Sequence, residues 1–508
     1  MRLIPVYSWK RDLHNMDLTR KSFMGQPWAS GGILLLCVVV AMLLANLPGV
    51  HEIYHRVLNM RAVIWLQNPF NGQIVLFPED MTVEKFINDI LMVVFFFTVG
   101  LEIKREVLCG ELSSLKKALL PVIGAVGGMA VPAIIYTVTN HGTLAASGWG
   151  IPTATDIAFA VGIMSILGNR VPVSLKVFLT ALAIADDLGA ILVVAIFYGG
   201  NINLPLLGIA LLLVLGVALL NYLGEKRMVY YLVPAIFIWA LFYYAGIHAT
   251  MSGVVMAFLI PMKPRFNRVY LHRKAEQYRH RLLFLNDYDT EENEEFPNEL
   301  QRHCLRRLSY INLNCMGMSY RLEHMLSPWV NFVIMPIFAL ANAGVEIPDL
   351  SYFNIFQYSP EIGSVGMGVF LGLLVGKPLG ITLFSWIAIK CKLGDMPSGA
   401  KWKMFFAVAC LGGIGFTMSI FVDTLSFGKL PNGLPMPSEE MIHLRSVGKI
   451  AVLLGSLAAG IVGSLLIRLF SKGSAGEAND LPAPVAAPKV IVNMSERPGV
   501  GGDIGRWQ

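Results

Sequence analysis

Residues 150–198 read GIPTATDIAFAVGIMSILGNRVPVSLKVFLTALAIADDLGAILVVAIFY, a strongly apolar stretch that nevertheless carries Asp156, Asp186 and Asp187. A carboxylate near the centre of a bilayer costs about 2.5–3.5 kcal/mol on insertion scales, so it is kept there for binding or relaying something. Val173–Tyr198 is long enough to cross hydrocarbon as one helix at ~1.5 Å per residue, with Asp186 and Asp187 about midway along it. Just upstream, Gly150-Ile151-Pro152-Thr153-Ala154-Thr155-Asp156 interrupts the apolar run with glycine, proline and small hydroxyl residues before a charge. That pattern predicts a broken transmembrane helix.

The whole chain agrees with this reading. Of its 508 residues 55% are hydrophobic and 15% charged, with a mean hydropathy of +0.59, whereas a soluble domain has about a quarter of its residues charged. The expected fold is therefore an all-α polytopic membrane protein with about twelve spans. The net charge of +6 does not point to nucleic acid, because the basic residues sit between apolar runs rather than on an aromatic-rich face. The six cysteines lack CxxC spacing, so neither a disulfide framework, a metal site nor a cofactor is expected.

Apolar runs begin at Gly31, Phe86, Leu119, Ile151, Val173, Leu206, Val229, Ile247, Trp329, Gly366, Met404 and Ile450. The basic connections are the N-terminus, 104–117, 170–176, 226–227, 263–321, 390–403 and 468–472. They alternate with connections that hold few or no basic residues, which places both termini in the cytoplasm. A long basic leader and a poor cleavage site argue against a signal peptide. Residues 1–28 are read as a cytoplasmic segment, 29–470 as the membrane domain and 471–508 as a disordered tail rich in Ala, Pro and Gly. Within the membrane domain, 49–85 is an external loop and 262–327 a long cytoplasmic loop, helical or disordered. Two β-prone runs around Asn68-Pro69-Phe70-Asn71-Gly72 predict a small external β-hairpin. Over 61–78 it reads either as a covering loop or as a contact for a homodimer.

Lys377, in Gly376-Lys377-Pro378-Leu379-Gly380, is the obvious cationic counterpart of the three acids and also falls near mid-depth. A lone Lys at that depth either loses its proton or pairs with an acid. Gly412-Gly413-Ile414-Gly415-Phe416-Thr417-Met418-Ser419 is a second glycine-rich break. The spans from Leu119, Ile151 and Val173 correspond in order to those from Gly366, Met404 and Ile450, with the interrupted member second in each triplet and the starting sides opposite. This is the order an inverted-topology repeat with two interrupted, crossing helices would have. Adjacent Asp186 and Asp187 diverge by about 100° on a helix, so one should face a cavity while the other reaches Lys377, and the pair should titrate as a coupled group.

At these residues the chain resembles the NhaA family of bacterial sodium/proton antiporters over about residues 28–470. The resemblance rests on Phe95–Glu106, Ala154–Ala160, Ala183–Ala190, Gly246–Thr250, Gly376–Gly380 and Gly415–Ser419. It implies electrogenic, pH-regulated exchange of cytoplasmic Na+ or Li+ for external H+ in the inner membrane, serving sodium and pH homeostasis. It further implies a cation and proton site at Asp186, Asp187, Thr155 and Asp156, with Asp187 the principal ligand and Asp186 the partner of Lys377. Asp156 and Lys377 would offset the charges of the broken helix ends, and Glu102, Glu106, His248 and Glu323 would affect the pH response. The long insertion before Glu323 and the extended tail depart from the family pattern.

The alternatives are another cation/proton exchanger or a passive cation channel, and classes other than exchange fit the residues less well. A passive cation channel needs a continuous multi-ion file, and an intramembrane aspartyl hydrolase needs its two carboxylates on facing helices. No nucleotide-binding motif is present, so gradients would drive the transport and no enzymatic step is expected.

Overall fold

The computed structural model describes residues 28–61, 65–68, 72–75, 81–199, 202–288, 299–347, 355–358, 363–427 and 438–471. Among the described residues eight helices are long and apolar enough to cross a membrane, and counting two bent pairs as one span each brings the number up to ten. Val229–Tyr244 and Thr250–Leu259 are shorter apolar helices. Helix Leu204–Tyr222 has only 11% of its most apolar window buried, so it presents its side chains outward, as a helix does in a solvent as apolar as itself.

Each helix break has a local cause. In the first broken span, a 3-10 helix Leu144–Thr153 and an α-helix Ile157–Leu167 are bent by 42°. Pro152 lacks the N–H that would continue the ladder, Ala154 is extended (ψ 151), and Asp156 begins the second half by accepting from the Phe159 N–H at 3.3 Å. In the second, Trp402–Leu411 and Phe416–Ser426 are bent by 51° around Gly412–Gly415. Gly413 must be glycine there, because a Cβ would run into the Leu373 carbonyl oxygen.

Helix Val173–Phe197 runs unbroken past both aspartates. Opposite it, Val365–Lys390 widens into a π-turn over Gly372–Gly376 immediately before Lys377. Pro378 supplies no N–H to the ladder at that point, which leaves room for the wider turn. Helix Leu115–Thr139 packs against it so closely that a Cβ on Gly380 would meet the Gly127 carbonyl, and one on Gly127 would meet that of Gly380. That contact fixes the height of Lys377.

Some expected boundaries move. The span expected from Trp329 begins at Met318 and runs to Asn342, so Glu323 lies within it rather than in the long loop. Arg321, Glu323 and His324 dilute the hydropathy of its first turns, and Pro328 is accommodated beside a π-turn over Val330–Ile334. The run expected from Ile247 is helical only over Thr250–Leu259, because the chain first turns at Gly246 with φ 78. Among its described residues the long loop holds two helices, Arg268–Tyr288 and Glu299–Cys315. The Arg265 and Phe266 N–H groups close the base of that helical pair on the Asn314 carbonyl, at 2.9 and 3.2 Å.

Two strands, β1 (Trp65–Asn68) and β2 (Gly72–Val75), pair antiparallel with Asn68 opposite Gly72. The turn residues 69–71 lie outside the described residues. The same holds for 1–27 and 472–508, where the N-terminal segment and the tail were expected.

Candidate ion-binding site

The two broken spans meet at their interruptions. The Asp156 N–H donates to the Ile414 carbonyl at 2.6 Å, joining one interruption to the other. Two half-helices, Ile157–Leu167 and Phe416–Ser426, start at this crossing, so the unsatisfied N–H groups and positive dipole ends of both point toward one place. Asp156 occupies it. Its Oδ1 accepts from Phe159 N–H at 3.3 Å, and its Oδ2 accepts from the backbone N–H and the hydroxyl of Thr417 at 3.2 and 2.5 Å. One carboxylate thus caps both half-helices.

A second cluster lies beside the ends of the preceding halves. Lys377 Nζ donates to Asp186 Oδ2 at 2.8 Å, and both side chains are fully buried. Lys377 also donates to the Thr155 hydroxyl, which faces Asp186 Oδ2 at 2.5 Å and the Gly412 carbonyl at 3.0 Å. Thr155 therefore links the ion pair to a carbonyl left over at the break of the second span.

Asp187 is placed differently. It lines a cavity of about 460 Å³ that extends past Thr155, Asp156 and Thr180 to Glu102, Arg105 and Glu106. Asp186 is not part of that lining. Asp187 Oδ1 is buried without a hydrogen-bond partner among the described residues. The wall also carries Ser327, Asn331 and Thr417, so hydroxyl and amide oxygens stand around the same space. A carboxylate with an uncommitted oxygen, in a cavity lined by neutral oxygen groups, suits a small hard cation or a proton, and for either the counter-charge is already there.

Glu102, Glu106 and Glu323 come together at the far end of the cavity around Arg105. Its guanidinium donates to Glu323 at 2.5 Å and to Glu106 at 3.1 Å. His248 is elsewhere: its ring is hydrogen-bonded to the Tyr198 carbonyl, at the opposite end of helix Val173–Phe197.

The structure also gives roles to residues that the sequence does not single out. Thr417 stands just after a glycine-rich break, as Asp156 does, and that position was the available signal. Lys104 donates to the Phe258 and Ile260 carbonyls at 2.6 and 2.5 Å, capping the end of helix Thr250–Leu259. Asp423 is a third kind of case. It is fully buried on Phe416–Ser426, neither oxygen has a hydrogen-bond partner among the described residues, and it packs against Gly448.

Residues 21–467 match the Na+/H+ antiporter 1 family. The chain is 39% identical over 445 residues to the Na(+)/H(+) antiporter NhaA of Oleidesulfovibrio alaskensis, covering 88% of this chain and 92% of that protein. To the Na(+)/H(+) antiporter NhaA of Pelagibacter ubique it is 39% identical over 461 residues, 91% of this chain and 100% of the other. Na(+)/H(+) antiporter NhaA 2 of Helicobacter hepaticus is 41% identical over 448 residues, 88% of this chain and 94% of that one.

Proposed function

The chain belongs to the Na+/H+ antiporter 1 family, of NhaA type, and from that premise we propose how it exchanges Na+ for H+: both ions compete for Asp187. The observation that carries this is the division of labour between neighbours. Asp186 is held through Oδ2 by Lys377 and Thr155 and stays out of the cavity, while Asp187 lines it; each leaves its Oδ1 without a partner among the described residues.

Sodium needs oxygen ligands, and the carboxylate that supplies the charge is also the group that takes a proton. Each ion therefore expels the other, and exchange follows without a separate proton wire. Asp156 stabilises the two positive half-helix ends and Lys377 the opposite ends, so the crossing stays intact whether or not a cation is present. The triplets Leu115–Thr139 to Val173–Phe197 and Val365–Lys390 to Ser438–Ser471 act as an inverted repeat, with Val229–Tyr244 and Thr250–Leu259 completing twelve spans. Rocking of one repeat against the other would open the site to each side in turn.

In this reading Na+ or Li+ leaves the cytoplasm and protons enter, across an inner membrane with both chain termini cytoplasmic. The Glu102, Glu106, Arg105 and Glu323 cluster lies at the cytoplasmic mouth and conditions the response to pH. The β1–β2 hairpin faces outward, where it serves as a dimer contact. The test is proton movement in everted vesicles on addition of Na+, Li+ or K+. Proton release from the vesicle lumen on Na+ or Li+ supports the reading, and a response to no cation at any pH contradicts it.

A further inference from the structure

A second cavity, of about 500 Å³, lies on the other side of the crossing, between helices Ala29–Asn46, Ile157–Leu167 and Ser438–Ser471. Its inner wall is Phe159, Ile414 and Phe416, the residues flanking the two breaks. Its rim is apolar and open outward, with Ile166 68% and Leu457 58% exposed. Glycines at 31, 32, 162 and 460 give it depth. The charged residue among its described lining is Arg468, in the last turn of Ser438–Ser471, and Trp28 stands at the start of Ala29–Asn46.

We propose that this groove binds one acyl chain of an anionic phospholipid, with the headgroup phosphate at Arg468 and the chain running inward to Ile414 and Phe416. Three observations carry it. The groove is lined by apolar side chains and glycine over most of its length, which suits a hydrocarbon chain. From Ser456 at the crossing to Arg468 the helix rises ~18 Å at ~1.5 Å per residue, which matches half of a ~30 Å hydrocarbon core with some reach into the headgroup layer. At that end an Arg and a Trp, the residues of a membrane interface, meet in one lining. Arg468 has no ion-pair partner among the described residues, so its guanidinium is available to donate two hydrogen bonds to a phosphate.

The site bears on the crossing. Gly415 N–H donates to Ser456 Oγ at 3.2 Å, and Ser456 also lines the groove. A chain seated there braces the second break from behind, opposite Asp156. The inference rests on the chain spanning a membrane, as proposed above, but its readout is independent of ion exchange.

The experiment is native mass spectrometry of the full chain purified in mild detergent, with phosphatidylglycerol or phosphatidylcholine added as probes. The wild-type protein should hold one phosphatidylglycerol in preference to phosphatidylcholine. Arg468→Ala should remove that preference, weakening phosphatidylglycerol roughly fivefold, as one basic residue at an anionic surface would, and Arg468→Lys should restore most of it. Gly460→Leu and Gly32→Leu should fill the groove and abolish retention of both lipids. A Cβ on Gly460 meets Ile163 and Ile414 at 3.4 and 3.5 Å, and one on Gly32 meets only Trp28 at 3.8 Å or more, so neither backbone is crowded. Lipid retention unchanged by the leucine variants, as a terminal segment or a second copy in the groove would produce, overturns the proposal. So does a phosphatidylglycerol preference that survives Arg468→Ala.

Discussion

Lys377 and Asp186, 191 positions apart in the chain, form a 2.8 Å ion pair with both side chains fully buried. Two charges removed from water are costly unless each answers the other and further hydrogen bonds add to the pair. Thr155 adds one through its hydroxyl, and Asp186 Oδ1 is left without a partner among the described residues.

Removing one partner should therefore cost more than removing both. Lys377→Ala leaves a buried acid unpaired and should lower stability by about 3–5 kcal/mol, while the double variant Lys377→Met with Asp186→Asn should recover a large part of the loss. Melting of the purified protein in detergent measures this directly. A double variant destabilised by the sum of the losses of the two single variants would mean that the two residues are not energetically coupled.

The double cap at the crossing makes Asp156 a stability residue as well as an electrostatic one. Asp156→Ala removes acceptors from two helix starts, at ~1 kcal/mol for each cap, and Thr417→Val removes the shorter of the two Thr417 contacts. We expect Asp156→Ala to melt well below wild type and Thr417→Val to fall between them. If Thr417→Val melts like wild type while Asp156→Ala does not, the carboxylate is not shared between the half-helices.

These two relationships were legible in the sequence to different degrees. Asp156, Asp186, Asp187 and Lys377 stood out because a charge in an apolar run is costly wherever it lies. Gly, Pro and Thr beside them marked the helix breaks. The partner of each charge was a tertiary matter, since the Thr417 hydroxyl and the Gly412 carbonyl reach their partners only once the breaks cross. Glu323 reads as a loop residue because Met318–Trp329 mixes polar with apolar residues. Lys104 looked like one more interfacial charge among Glu102, Arg105 and Glu106, and only packing against Thr250–Leu259 gives it carbonyls to cap. Asp423 sits near the end of its span, where an acid reads as an ordinary boundary residue. The groove at Arg468 is built by three helices distant in sequence and has no local signature at all.

Asp187 should be indispensable in a way that its neighbours are not. Asp187→Asn keeps the shape of the side chain and removes both the charge and the proton site, so we expect normal membrane insertion and melting with loss of sodium-driven proton movement. Everted vesicles provide the assay. Exchange at wild-type rates in that variant would move the site elsewhere.

Direct competition between Na+ and H+ at Asp187 is the central claim, and the sodium affinity across a pH series in proteoliposomes tests it most directly. At lower pH the carboxylate is occupied by protons a larger fraction of the time, so the sodium concentration for half-maximal exchange must rise, by about tenfold per pH unit for each proton displaced. The maximal rate should change less. A slope corresponding to more than one proton per sodium would also make the exchange respond to a valinomycin-set membrane potential. The account predicts a steep rise in the half-maximal sodium concentration as pH falls, and a value independent of pH would contradict it.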